Sequence, residues 1–402
     1  MTSETAPFTR QRLTWLAYWM LSYYTFQAAM LGPLLPFLRA ELDLNYTLAG
    51  LHLSAISFGI ILSGLSAERL ARAGGRRATL WGGAAGLAAG ALALALGRWL
   101  PLTLAGVFCM GYFGALVQVM IQAILSDLHG ERRTIALTEA NIGASLSAAL
   151  SPLLIGGFLR LGISWRAALF LAMGLLVLIA LRFHTESIPN PPAGPGASSR
   201  DGRQGQAERP HLPVAYWAYW LVICLSVAIE WCLMIWSPDF LEKVVGLSRV
   251  DASTALALFF VATVLGRIAG SRLAWSLPGI TILLSAFGIC AAGFFLFWLA
   301  TIPALNLAGL FIAGLGAANL FPLAMAVAIS QAPRQANAAS ARVSFGVGIA
   351  GFIAPFSLAR IADQAGIYTA YAILPALFVV AVAVTILTHH LVGPARQPRQ
   401  AG

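Results

Sequence analysis

TESIPNPPAGPGASSRDGRQGQAERPHLP, residues 185–213, differs in kind from the sequence on either side of it. Pro189, Pro191, Pro192 and Pro195 are interleaved with Gly194 and Gly196, and mixed charge follows as far as Arg209 and Pro210. Proline, glycine and charge at this density make a flexible linker with no core of its own. Working outward, the chain becomes apolar in both directions. Spans are expected near 13–38, 46–68, 78–98, 101–126, 135–160 and 164–184, then near 214–241, 250–272, 277–301, 303–330, 336–361 and 366–391. Stretches of about 20 apolar residues suffice to cross a hydrocarbon core of about 30 Å. The 402 residues are 59% hydrophobic and 10% charged, whereas a soluble domain carries roughly 25% charge. A soluble fold could not hide so much apolar surface, so the expected solvent is a bilayer. The expected fold is all-α, with twelve transmembrane helices as two parallel six-helix repeats. Its halves are 1–184 and 214–402, joined by a cytoplasmic linker at 185–213.

The two halves align at one offset. Adding 203 carries Phe37 onto Phe240, Arg69-Leu70-Ala71 onto Arg272-Leu273-Ala274, Phe108 onto Phe311 and Pro152 onto Pro355. Gly106, Gly111 and Gly143 meet Gly309, Gly314 and Gly346 at the same offset. Matches of glycine are cheap in this composition, so the Phe, Arg and Pro pairs carry the weight. Six is an even number of crossings, so both halves enter from the same side, as in a parallel repeat that rocks about a midplane site.

A net charge of +10 raises nucleic acid as a partner, but its distribution points elsewhere. With a cytoplasmic N-terminus, 17 of the 25 Lys and Arg residues fall on the cytoplasmic side or at its helix ends. That is the positive-inside bias, with both termini in the cytoplasm and the plasma (inner) membrane as the default location. No nucleic-acid partner is expected. The four cysteines, Cys109, Cys224, Cys232 and Cys290, lie inside apolar spans without metal or disulfide spacing, so neither a metal site nor a cofactor is expected. The first apolar stretch is too long for a signal peptide and reads as a transmembrane helix.

Between the second and third spans stand Gly64, Glu68 and Arg69, then Gly75-Arg76-Arg77. This resembles the loop signature of the major facilitator superfamily, with Glu in place of the commoner Asp and the second cluster about four residues late. The resemblance covers essentially the whole chain. A finer likeness, from Glu230 and Trp236 through Gly246-Leu247-Ser248 to Gly266-Arg267, and at Gly314-Leu315-Gly316 with Phe321-Pro322, is to the fucose permease-like branch. Proton-coupled members of that branch use acids in their first and fourth helices, where this chain has Gln27, Gln118 and Gln122. The resemblance implies that the first, fourth, seventh and tenth spans line a central cavity.

Charge inside a bilayer costs about 2.5–3.5 kcal/mol on the lenient insertion scale, so each buried polar residue needs an account. Glu230 is the only acid deep within any expected span, and it is the 203-offset partner of Gln27. It is expected to take up a proton or to contact a polar or cationic substrate; the alternative is a neutral, hydrogen-bonded structural Glu. Tyr23 and Gln27, and Gln118 and Gln122, are spaced four apart, which puts each pair on one helical face. Asn319 adds an amide, and Tyr24, Trp231 and Phe321 offer stacking surface to a solute. The plainer account is that Gln, Asn and Tyr glue helices together.

In the family's packing the second span meets the eleventh, and the fifth meets the eighth. Glu68 and Arg342, and Glu139 and Arg267, then stand at matched depth as candidate cytoplasmic gate pairs, with Glu139 and Arg342 themselves related by the offset. Helix-end charges that reach to water are the alternative. No P-loop, nucleotide-binding domain or catalytic cluster is present in the sequence, so no enzymatic activity is expected. The expected function is secondary active transport of a small polar solute by alternating access, with proton-coupled sugar or metabolite transport the leading form. The protein is expected to be a monomer among membrane lipids. A drug or metabolite exporter using Trp231, Trp236 and Tyr24 is the rival, and a non-transporting membrane sensor the third reading.

Overall fold

The computed structural model describes residues 9–189, 212–332 and 336–392. Of the expected linker, residues 190–211 lie outside the described residues. Eleven α-helices account for nearly all of the described chain: α1 Arg12–Glu41, α2 Tyr46–Leu96, α3 Leu100–His129, α4 Arg133–Arg160, α5 Arg166–Phe183, α6 Val214–Lys243, α7 Arg249–Leu273, α8 Gly279–Leu299, α9 Pro303–Ser330, α10 Ala336–Ala370 and α11 Ile373–Val392. A single 3-10 turn, Gly130–Arg132, joins α3 to α4. In a bilayer this is the expected solution, because a helix satisfies its backbone hydrogen bonds internally.

Ten of these helices, among the described residues, are long and apolar enough to cross a membrane. The expected twelve spans do not map one to one. Two of them merge in α2, whose 51 residues would extend about 75 Å as one straight helix, more than twice the hydrocarbon thickness. Gly75 breaks it at φ 80°, ψ 157°, a conformation open to glycine at little cost. The two arms correspond to the expected spans 46–68 and 78–98. The helix α1 is not among the ten; its Trp, Tyr, Gln and Pro residues dilute its hydropathy.

The chain forms two compact units. One contains α1, α2 from Ala55 onward and α3–α5; the other contains the first turns of α2, up to Ser54, and α6–α11. Within the first unit α1 packs on α4 and α3, and within the second α6 packs on α10 while α9 packs on α8 and α7. The core of the second unit includes a ring cluster in which Phe240 lies 4.6 Å from Phe297 and 5.1 Å from Tyr371, centroid to centroid.

The same helix crossings recur in both units. A Cβ on Gly111 would fall 2.2 Å from the Ile56 carbonyl oxygen, and one on Gly314 would fall 2.7 Å from that of Phe259. A Cβ on Gly106 would meet the Gly90 oxygen at 2.8 Å, and one on Gly309 the Gly293 oxygen at 2.8 Å. Every residue in the second member of each comparison is 203 positions after its counterpart in the first. Backbones approach this closely only where no side chain intervenes, a recurrent device in membrane helix packing.

The start of α2 is capped from two directions. The Asn45 side chain accepts from Leu48 N–H at 2.8 Å, and its carbonyl accepts from Ala49 N–H at 3.0 Å. The remaining two donors, Tyr46 and Thr47 N–H, each give a 2.7 Å hydrogen bond to one carboxylate oxygen of Asp363 on α10. All four otherwise unpaired N-terminal donors therefore have partners. Farther along the same turns, Gly50 faces Ala359 closely and Ser54 Oγ donates to the Phe352 carbonyl at 3.4 Å.

Two outcomes follow for stability in detergent. Gly111→Ala and Gly314→Ala force backbone displacement and should each cost about 1–3 kcal/mol, seen as a lowered melting temperature. Gly174→Ala, where the new Cβ meets nothing within 4 Å, should be neutral or gain up to about 1 kcal/mol from helix propensity. Asp363→Ala should cost about 1–2 kcal/mol, as loss of an N-cap does. Hydrogen exchange of the Tyr46 and Thr47 amides should accelerate in that variant while Leu48 and Ala49 keep their protection.

Candidate functional site

The loop signature is a joint built around the break in α2. Gly75 turns the backbone, Arg76 donates to Asp127 at the end of α3 at 2.6 Å, and Arg77 donates to the His184 carbonyl just beyond α5. Gly64 and Arg69 are exposed on α2. Glu68 pairs with Arg72 one turn on, at 3.3 Å, with both side chains largely in the open. A pair so exposed contributes about 0–1 kcal/mol.

Glu139, in the second turn of α4, is held on three sides within its own unit. Arg10, from the non-helical residues before α1, donates from Nε at 2.8 Å and from Nη2 at 2.5 Å, one to each carboxylate oxygen. Tyr18 on α1 donates its hydroxyl at 2.9 Å. The carboxylate raises the Arg10 guanidinium above its ordinary pKa, chiefly through that hydrogen bond. At the equivalent position of the second unit, Arg342 stands 5.8 Å over the Trp217 ring, and its carbonyl accepts from Trp220 Nε1 at 2.8 Å. Each unit thus ties its fifth-span charge to its own first helix, one through the Tyr18 hydroxyl and the other by aromatic contact.

Gln27 is fully buried in α1, and neither its amide oxygen nor its amide nitrogen has a hydrogen bond of good geometry. The Tyr23 hydroxyl one turn earlier is buried in the same condition. Their polar contact is with each other and falls short of good hydrogen-bond geometry; buried polar groups are nearly always better paired, which marks this face as the polar ligand position of the first unit. Tyr24 lies flat against α3, its ring edge 2.5 Å from where a Gly114 Cβ would sit. Gln118 is partly buried and Gln122 exposed on α3.

In the second unit Glu230 lies on α6, partly exposed, within electrostatic reach of Arg267 on α7. The sequence offered Arg267 only as a gate residue; its field at Glu230 was not legible, because the two are 37 positions apart and no periodicity links them. Trp231 and Phe321 are partly exposed. Asn319 donates its amide to the Gly266 carbonyl at 2.7 Å and packs over Gly270. That nitrogen glues α9 to α7, the plainer of the two roles expected of it. Trp236 departs from the cavity role imagined for an exporter: it is fully buried, donates to the Pro355 carbonyl at 3.1 Å and stands edge-on to Tyr46.

Among the described residues no group of three or more His, Cys, Asp or Glu side chains could hold a metal ion. What the two units do supply is a set of polar side chains on long apolar helices: Gln27 with Tyr23 in one, Glu230 with Arg267 in the other.

Comparison with known proteins agrees with this architecture. The family described as Major Facilitator Superfamily matches residues 17–355 and again residues 220–401. The second match starts 220 − 17 = 203 residues after the first. An uncharacterised MFS-type transporter of Yersinia pestis is 25% identical over 360 residues, 85% of this chain and 86% of that protein. The multidrug resistance protein MdtL of Escherichia fergusonii is 30% identical over 231 residues, 55% of this chain and 56% of MdtL. Among solved structures, an inward-facing bacterial homolog of the human lysosomal transporter Spinster superposes with a TM-score of 0.77 at 14% identity, covering 98% of this chain and 100% of that one. A D-xylose–proton symporter gives 0.76 at 14% identity, covering 95% and 98%. At such identities the structures establish the fold alone. The chain belongs to the Major Facilitator Superfamily and is a multi-pass integral membrane transporter.

Proposed function

We propose that the protein is a secondary active carrier that moves a small polar solute by alternating access, coupled to protons through Glu230. Its architecture is twelve transmembrane crossings in two parallel six-helix repeats, with both termini and the linker on the cytoplasmic side of the plasma membrane. The recurrence of glycine crossings at an offset of 203, and a second family match confined to residues 220–401, support the repeat.

The observation that carries the reading is the pair of equivalent positions Gln27 and Glu230. One is a buried amide whose polar contact is the neighbouring Tyr23 hydroxyl, the other an acid on an apolar helix within electrostatic reach of Arg267. A carboxyl placed there alternates between a charged state that costs several kcal/mol in hydrocarbon and a neutral one that does not. Protonation of Glu230 would remove its attraction for Arg267, and that change is a means of coupling proton uptake to a change of state. Tyr23, Gln27, Gln118 and Gln122 would supply hydrogen bonds to the solute, with Tyr24, Trp231 and Phe321 as apolar walls. Proton-coupled transport of a sugar or metabolite is the leading form, a sugar being suggested by the likeness to the fucose permease-like branch. The exporter reading is favoured by one specific observation, the 30% identity to MdtL over 231 residues.

The cytoplasmic gate pairs Glu68–Arg342 and Glu139–Arg267 belong to the same proposal. In the described state Glu139 is taken by Arg10 and Tyr18, and Glu68 by Arg72. Forming the latches therefore requires an exchange of partners, which a bias of a few kcal/mol between two states can drive.

Reconstituted protein should show solute-triggered proton movement that is lost in Glu230→Gln while solute binding persists. Solute uptake without proton movement in both proteins would remove Glu230 from the coupling role. For the gate, Glu139→Arg and Arg267→Glu should each slow transport about tenfold or more, the equivalent of about 1.4 kcal/mol, and the double swap should restore part of the rate. Rates unchanged in all three would end the latch proposal.

A further inference from the structure

The first unit holds a cavity beside the gate residue Glu139, and the carrier reading assigns no ligand to it. It lies between α1 and α4 and has a volume of about 690 Å³, within the range of about 300–1,000 Å³ typical of small-molecule sites. Trp15, Tyr18 and Trp19 form its aromatic side, Leu146 contributes to the apolar side, and Glu139 with Arg10 supplies its charge. Trp15 and Tyr18 stand edge to face at 5.7 Å. Trp15 and Trp19 are nearly half exposed, at 45% and 47%.

We propose that this cavity binds an amphipathic organic cation, whose charge takes the place of the Arg10 guanidinium at Glu139 and whose apolar body lies against Trp15, Tyr18 and Trp19. Three lines of chemistry favour a cation. The aromatic rings attract positive charge through their faces, most strongly when it is weakly hydrated. The carboxylate faces the cavity from a helix, a fixed scaffold, whereas its partner Arg10 comes from the non-helical stretch before α1 and is 45% exposed. The Arg10 side of the pair is the one more open to water, so Arg10 is the replaceable member. Arg10 is itself a flat, delocalised, weakly hydrated cation, and its bidentate contact shows that the site accepts such a group.

The other ligand classes fit less well. An anion would need Arg10, which is committed to Glu139. A hydroxyl-rich solute is uncharged and could not replace Arg10 as the counter-charge of Glu139. The site draws on the first unit alone, so it stands whether or not Glu230 carries a proton. Arg10 then acts as a tethered competitor that keeps Glu139 neutralised until a ligand arrives.

The test is saturation binding of radiolabelled tetraphenylphosphonium, a bulky cation with a permanent charge, to the full-length protein in lipid nanodiscs. Arg10→Gln removes the competitor and should tighten binding about fivefold, the equivalent of about 1 kcal/mol. Glu139→Gln and Trp19→Ala should weaken it about tenfold or more. Unchanged affinity in Glu139→Gln and Trp19→Ala overturns the proposal, as does weaker binding in Arg10→Gln. Loss in Glu230→Gln in place of Glu139→Gln would move the cation to the other unit and also overturn it. Arg10 lies outside any helix, so its variant keeps the test valid if a substitution within α4 impairs folding.

Discussion

Hydrocarbon offers no hydrogen bonds, and every feature of this chain answers to that constraint. A helix meets it along its length, which is why almost all the described residues are helical. Helix ends and breaks are the exceptions, and two of them are furnished with partners from other helices. The break at Gly75 is flanked by two arginines tied to the ends of α3 and α5. The start of α2 has four donors and four acceptors to match them. Against that background the buried amide of Gln27, with no hydrogen bond of good geometry, is conspicuous.

Much of the fold was legible because the bilayer writes itself into composition. Apolar runs set the helices, and the proline-rich interval set the division of the chain. The offset of 203 was also visible, but the reasons assigned to its matches change with the structure. Phe, Arg and Pro coincidences seemed the informative ones and the glycines cheap. Gly106, Gly111, Gly309 and Gly314 instead mark the crossings at which no Cβ fits, in both units alike. What was not legible was the fusion of two spans into α2. A polar stretch from Glu68 to Arg77 reads as a loop, yet its residues keep helical geometry up to and after one glycine.

The site was legible only in its residue types. Glu230 and Gln27 stand out in any reading, because polar groups on apolar helices are rare. Their surroundings do not, since partners on other helices leave no spacing in the sequence. Arg10 sits outside the periodic part of α1, and Tyr18 looks like one more aromatic on a helix rich in them. Both turn out to hold Glu139. Asn319 shows the opposite case: a residue type suited to a ligand is occupied by the backbone of the neighbouring helix.

The cap on α2 has a consequence for the order of assembly. Tyr46 and Thr47 are bonded to a side chain more than 300 positions later in the chain. At about 5–20 residues per second of synthesis, Asp363 emerges roughly 15–60 seconds after the helix it completes. Throughout that interval the two amides at the start of α2 must find water or lipid headgroups instead. The second helix of the protein is therefore among the last to be finished, and its outer turns wait on the arrival of α10.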